Sequence, residues 1–229
     1  MNNTKLIKNN KEKWITFTDA IEYSKAIEMM KSKEEKIKNG LLSEQILLLE
    51  HPSVYTAGTS SKDSDLIIKN DIPIYKTERG GQWTWHGPGQ RIVWPLLDLN
   101  HRKKDVKLYV YHLEEWIIDV LNEIGIKGLR KNGAPGVWVS RGDINESKRL
   151  DKIAALGIRI SRWVTSHGIS ININPNLKHF DGIIPCGIYG SKSTSIYQLG
   201  VNISSLQLDK IFKNTFKNHF GKNKIMGRI

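Results

Sequence analysis

Three segments carry residue types suited to chemistry: IIPCGIYG (Ile183 to Gly190), DKIAALGIRI (Asp151 to Ile160) and RGGQWTWHGPGQ (Arg79 to Gln90). Cys186 is the only cysteine, so no internal disulfide can form. It stands between Pro185, whose ring fixes φ, and Gly187, which is unrestricted. Such a turn holds a thiol outward and frees amides that can face a developing oxyanion. A free cysteine is most often a small buried hydrophobe, and the segment alone leaves that reading open. As a nucleophile it needs its thiolate, of which an ordinary thiol pKa of about 8.5 leaves only a few per cent at neutral pH. A cation should therefore lie close.

Lys152 is the candidate cation, because it interrupts an apolar strand-like run where a lysine is costly to bury without a partner. An ammonium beside a thiol favours the thiolate, and the same amine, once neutral, can take a proton from a later nucleophile. The alternative is a lysine that caps the strand in solvent beside Asp151.

The RGGQWTWHGPGQ stretch packs four glycines, two tryptophans and one histidine into twelve positions. It lacks the G-x-G-x-x-G spacing of a dinucleotide loop and the G-K-[ST] ending of a P-loop, so nucleotide binding is not supported. Paired glycines let main chain approach a ligand, and Trp83, Trp85 and Trp94 can wall one side of a pocket for a short acyl chain or planar heterocycle. His86 is placed to orient a carbonyl or relay a proton, although a lone histidine is more often structural. His51, His86 and His167 have no helix-spaced metal-ligand pairing, so zinc is weakly supported.

The elements that position these residues read as α/β. Ile21, Ala26, Ile27, Met30 and Ile37 predict an amphipathic helix between Asp19 and Lys38, with Asp19 and Glu22 as a capping box and Gly40 as the stop. Leu41 to Leu49 reads as a buried strand. Val106, Val110, Leu113, Trp116, Ile117, Val120, Leu121 and Ile124 recur at helical spacing before Gly125. A third helix follows Ser205 as cap, with Leu208, Ile211, Phe212 and Phe216 on one face and Gly221 at its end. GVWVS, KIAALGIRI and HGISININ predict antiparallel strands joined through Arg141 to Arg149 and through SRW around Arg162.

With 229 residues, 39% hydrophobic and 25% charged, the chain falls in the range of soluble globular proteins. No apolar run approaches the roughly 18 residues of a membrane span. The N-terminal MNNTKLIKNNKEKW has no apolar segment behind its charges, which points to a cytoplasmic protein and no membrane role. The formal +12 charge favours an acidic partner, although scattered lysines also describe an ordinary solvated surface. Without a repeat or a composition break, the expectation is a polar tail over 1–13 and one domain over 14–229.

Together the segments resemble one family, the lipoyl(octanoyl) transferases. The likeness runs in order through LLEHPSVYTAG (Leu48 to Gly58), RGGQWTWHGPGQ, GAPGVWV (Gly133 to Val139), KIAALGIRI, SHGISININ and PCG, and the signature RGG-x-x-T-x-H-GPGQ is met at every fixed position. The resemblance implies a biotin/lipoate protein ligase-like α/β fold, a mixed sheet with packed helices. It implies Cys186 as the nucleophile that carries an acyl thioester, and Lys152 as the residue that lowers its pKa and moves protons. Substrate contacts fall on Arg79, Gly80, Gly81, Gln82, Trp83, Thr84, Trp85 and His86. Further contacts fall on Ala155, Leu156 and Gly157, and on Gly168, Ile169 and Ser170.

The implied reaction moves octanoyl from octanoyl-acyl carrier protein to a lysine of lipoyl domains, in 2-oxoacid dehydrogenase E2 subunits and the glycine cleavage H protein. No cofactor, nucleotide or metal is expected. Two positions depart from the family pattern: Trp94, where tyrosine is usual, and Ser170, where a small apolar residue is common. Two rivals remain: an ATP-dependent lipoate or biotin ligase, against which PCG counts, and a nucleic-acid-binding module, against which the placing of tryptophans among glycines rather than lysines counts.

Overall fold

A computed structural model describes residues 12–67, 71–144, 146–184 and 192–221 of the chain. The ten strands in chain order are β1 (Lys13–Thr16), β2 (Gln45–Leu49), β3 (Val54–Ala57), β4 (Ile74–Lys76), β5 (Trp83–His86), β6 (Gln90–Leu96), β7 (Leu129–Arg130), β8 (Val137–Arg141), β9 (Glu146–Ser161) and β10 (Val164–Asn172). Seven form one sheet in the order β1-β2-β6-β10-β9-β8-β7, and three form a second in the order β4-β3-β5. Among the named strands of the described residues, only β1 with β2 and β3 with β4 pair in parallel. The expected mixed α/β architecture is the one observed.

Alternation along the strands sorts the apolar side chains to two faces. Ile46, Leu48, Val93, Ile169 and Ile171 pack against helix α2 (Val106–Asn122) and helix α3 (Ser205–Phe220). Leu47, Leu49, Ile92 and Trp94 pack on the other side against Ala26, Met30 and Ile37 of helix α1 (Tyr23–Lys38). Because both faces are covered, all nine residues of β10 are buried. Arg91 and Asp209, both buried, tie β6 to α3 through paired bonds of 2.9 and 2.6 Å.

Three local expectations differ from the structure. The Asp19 and Glu22 capping box does not form: α1 starts at Tyr23, and Glu22 makes no side-chain cap bond. The amides of Phe17 and Ile21 bond instead to Leu48 and Glu50 carbonyls, which keeps the chain extended along β2 until the helix begins. The strand starts at Gln45 rather than Leu41, because Leu41 and Leu42 amides fold back onto the Lys36 carbonyl past the left-handed Gly40. Ser204, not Ser205, caps α3, in a reciprocal box with Gln207. The Ser205 hydroxyl donates to Glu50 at 2.7 Å. The β9–β10 hairpin turns at Arg162 and Trp163 as expected, with φ of 48° and 62°, the left-handed pair that matches strand twist.

Candidate active site

The two sheets enclose a cavity of about 410 Å³ with a mainly apolar lining. It is lined by the turn Arg79 to Gln82 continuing into β5, by Ala155 to Ile158 of β9 and by His167 to Ser170 of β10. Close main-chain contact makes this arrangement possible. Gly157 and Gly168 face each other across the β9–β10 pair. A Cβ on Gly157 would meet Arg79 Cδ at 2.8 Å, and one on Gly168 would meet the Val93 carbonyl at 2.4 Å. The Gly80 amide thereby reaches the Ile158 carbonyl at 2.8 Å. At these positions glycine lets chain approach chain, rather than chain approach ligand.

Arg79 is buried and organises its own turn. Nη2 donates to the Thr56 carbonyl at 2.8 Å, to Thr56 Oγ1 at 2.7 Å and to the Gln82 carbonyl at 2.9 Å, while Nη1 donates to the Gly80 carbonyl at 3.0 Å. The remaining expected contact residues, Gly81, Gln82, Trp83, Thr84, His86, Ala155, Leu156, Gly157, Gly168, Ile169 and Ser170, also line the cavity.

Trp85 does not. Its ring stacks on His179 at 4.7 Å and meets Phe180 edge-on, in a small cluster with Tyr55, Ala57 and Ile183. Trp83 belongs to the same cluster, with Nε1 donating to the Lys62 carbonyl at 2.7 Å, but it also borders the cavity, as does Trp94. Trp94 lies 5.6 Å from His51 and 5.7 Å from His167, ring centre to ring centre. Tyr23, Ile92, Pro135 and Ile158 also line the cavity without having been singled out. Tyr23 arrives from the first turn of a helix, a position with no local sequence signal.

Lys152 is buried at 6% exposure, which rules out the strand-cap reading. Val137 pairs with Ala154 and Trp138 with Lys152, so Ile153 is an extra residue in β9, a bulge that re-aims the strand. Lys152 Nζ donates to the Pro135 carbonyl at 3.0 Å and lies 4.6 Å from the Trp138 ring centre. It borders a small cleft with Thr84, Ala155 and Ser170, residues that also line the main cavity. Its neighbour Asp151 is buried and bonded by Arg141 and Arg149, each at 2.8 Å. Backbone bonds from the Lys152 amide to Lys192 (2.8 Å) and from the Thr194 amide to Lys152 (3.0 Å) bring the chain after Cys186 alongside. Cys186 itself, with its flanking proline and glycine, lies outside the described residues.

The histidines around the cavity are held neutral. Burial pushes His51 down to about 4 and His167 to about 3, and for His167 the Arg79 charge adds to the effect. Burial likewise drives His86 well below the usual range, aided by neighbouring His51. Among the described residues no group of three or more histidine, cysteine or acidic side chains is placed to hold a metal ion, and no helix is long and apolar enough to cross a membrane.

A family model describing the lipoyl protein ligase A/B catalytic domain matches residues 22–217. The octanoyltransferase of Jannaschia sp. (strain CCS1) is 44% identical over 212 residues, covering 91% of this chain and 98% of that protein. The octanoyltransferase of Bartonella tribocorum is 43% identical over 220 residues, covering 94% and 90%. Among solved structures, the bipartite lipoate protein ligase of Thermoplasma acidophilum superposes with a TM-score of 0.68 at 10% identity, over 92% of this chain and 83% of that one. A lipoate-protein ligase A bound with ATP gives 0.67 at 11% identity, over 92% and 85%. At those identities the structures speak to fold, and they share this one. The chain belongs to the lipoyl protein ligase A/B catalytic-domain family.

Proposed function

We propose that the protein is an octanoyltransferase that moves an octanoyl group, by way of a thioester on Cys186, onto a lysine of lipoyl domains. The observation that carries this reading is the buried Lys152 beside a mainly apolar cavity walled by the RGG turn. The relatives named octanoyltransferase support it.

In the first half-reaction the Cys186 thiolate attacks the donor thioester, a tetrahedral oxyanion collapses, and the donor thiol leaves with a proton from Lys152. In the second, a neutral lysine amine attacks the acyl carbon, the C–S bond breaks and Cys186 departs as thiolate. Lys152, now an amine, takes the proton from the new amide nitrogen. An amide lies well below a thioester in free energy, so the exchange runs without ATP. The donor is octanoyl-acyl carrier protein, and the acceptors are lipoyl domains of 2-oxoacid dehydrogenases and the glycine cleavage H protein. The +12 charge suits steering of an acidic carrier protein. The catalytic unit spans 14–229 behind a polar tail, and it works in the cytoplasm.

Intact-protein mass spectrometry after incubation with octanoyl-acyl carrier protein tests the reading. A gain of one octanoyl group that disappears in Cys186→Ala is expected, and persistence of the adduct in that variant overturns it.

A further inference from the structure

A line of hydrogen bonds starts at a backbone carbonyl and ends at the cavity wall. Asn172 Nδ2 meets the Thr194 carbonyl at 2.9 Å, Gln90 Nε2 meets Asn172 Oδ1 at 2.9 Å, and His86 Nδ1 meets Gln90 Oε1 at 2.7 Å. Gln90 Nε2 also meets the Trp85 carbonyl at 3.3 Å. Gln90 and Asn172 are both buried.

The direction of every bond follows from the two carbonyls, which can only accept. Thr194 requires the Asn172 amide nitrogen to face it, so Asn172 presents its oxygen to Gln90. That oxygen and the Trp85 carbonyl both require the Gln90 nitrogen, so Gln90 presents its oxygen to His86. Turning either amide over would set oxygen against oxygen in the interior. His86 must therefore carry its proton on Nδ1. Nε2, which makes no other hydrogen bond among the described residues, keeps a lone pair. Burial, with the nearby His51, Arg79 and His167, holds the ring neutral.

We infer that His86 Nε2 is a fixed hydrogen-bond acceptor for the attacking amine, with Gln90 and Asn172 as the positioning residues that fix its tautomer. This rests on the acyl-transfer reading. It also rules out the use of Nε2 to hold a carbonyl oxygen, for which a donor is needed. The amine donates one N–H to Nε2 and keeps its own lone pair for the acyl carbon. The N–C bond forms, the C–S bond breaks and the thiolate leaves. The proton shed by nitrogen goes to the Lys152 amine, and His86 keeps its own.

Long-range proton–nitrogen correlation of protein labelled with ¹⁵N-histidine, at neutral pH, reads the tautomer in the unmodified enzyme. His86 is assigned by the resonance lost in His86→Asn. A protonated Nδ1 with a bare Nε2 is expected, and a protonated Nε2 overturns the inference. Rates then separate the half-reactions. Gln90→Leu should slow lysine acylation from the preformed octanoyl-enzyme about 10- to 100-fold, while thioester formation stays nearly unchanged. Equal slowing of both steps, or no slowing of aminolysis, overturns the role. Failure of the wild-type protein to take up octanoyl would instead sink the acyl-transfer reading, with the tautomer still decided by the spectrum.

Discussion

Lys152 Nζ donates to the carbonyl of Pro135 at 3.0 Å. That carbonyl belongs to a segment gripped at three successive residues. Trp138 Nε1 donates to the Ala134 carbonyl at 3.0 Å, Lys152 holds Pro135, and the Gly136 amide donates to Glu114 Oε1 at 2.9 Å. Gly136 has φ of +122°, and a Cβ there would lie 2.7 Å from the Ala154 carbonyl and 3.3 Å from Lys152 Cε. The lysine is thus placed by a loop that is itself placed by α2.

Glu114→Ala strips the acceptor from a buried amide, which costs about 1–3 kcal/mol. The loop carrying Pro135 is then free to shift, and Lys152 with it. We expect a lower denaturant midpoint together with slower thioester formation. Glu114→Gln keeps an acceptor oxygen and should recover most of both. Slow turnover in the glutamine variant at full stability would show that the carboxylate charge, not its grip on Gly136, is what matters.

The two facing glycines should respond differently to a methyl group. At Gly168 the new Cβ would strike the Val93 carbonyl at 2.4 Å, and neighbouring strands cannot part without breaking the sheet. At Gly157 it would strike the Arg79 side chain at 2.8 Å, so the RGG turn can lift while the sheet holds. Gly168→Ala is therefore expected to lower stability by several kcal/mol, of order 3. Gly157→Ala should lose activity at near-normal stability. Thermal unfolding and turnover measured on both variants check this, and equal destabilisation of the two would contradict it.

Much of this was legible before the structure. The periodicity of α2 and the alternation of β10 follow from burial alone, and Arg79, His86 and the β9 and β10 contacts meet around the cavity. What stayed hidden depends on tertiary partners. Trp83 and Trp85 share a face of β5 and one buried cluster, yet only Trp83 borders the cavity, while Trp85 is covered by His179 and Phe180. The burial of Lys152 turns on a bulge at Ile153 that no residue type announces. The start of α1 is set by bonds to β2, which override the capping pattern at Asp19. The tautomer of His86 is fixed from Thr194, more than a hundred positions away.

Acid should weaken the fold through the same histidines. His51 and His167 have folded pKa values lowered to about 4 and about 3, against about 6.5 when unfolded. Below about pH 6.5 the unfolded chain binds protons that the folded chain refuses, so stability falls as pH drops toward these values. At roughly 1.4 kcal/mol per pKa unit, His51 alone contributes a loss on the order of 3 kcal/mol by pH 4. Urea midpoints measured from pH 7 to pH 4 should decline, and less steeply in His51→Asn, whose amide can keep the bond to the Ile21 carbonyl. An unchanged slope in that variant would remove His51 from the account.

Ser170 borders both the main cavity and the Lys152 cleft. A hydroxyl there disfavours methylene groups lying against it. Ser170→Ala should raise kcat/KM for longer acyl chains relative to octanoyl, by an amount on the order of one buried methylene, about 0.8 kcal/mol or roughly fourfold. Trp94→Tyr, which trims another lining side chain, should act in the same direction. Competition among hexanoyl, octanoyl and decanoyl donors reads the ratio directly, and a preference that does not move would place the chain end elsewhere.

Lys152 is assigned three tasks: it favours the Cys186 thiolate, protonates the departing donor thiol and takes the proton of the acceptor amine, and pH separates the first two from the third. As a cation it favours the Cys186 thiolate, a benefit that matters only below the thiol's own pKa of about 8.5. Lys152→Ala should therefore slow thioester formation strongly at pH 7 and progressively less toward pH 9, where an unassisted thiol ionises by itself. Aminolysis of the preformed octanoyl-enzyme loses its base at every pH, so its deficit should persist across the range, about 10²- to 10⁴-fold. Lys152→Arg keeps the charge but cannot act as the amine, and should rescue the first step far better than the second. A deficit in thioester formation that is the same at pH 7 and pH 9 would leave Lys152 with no part in ionising the thiol.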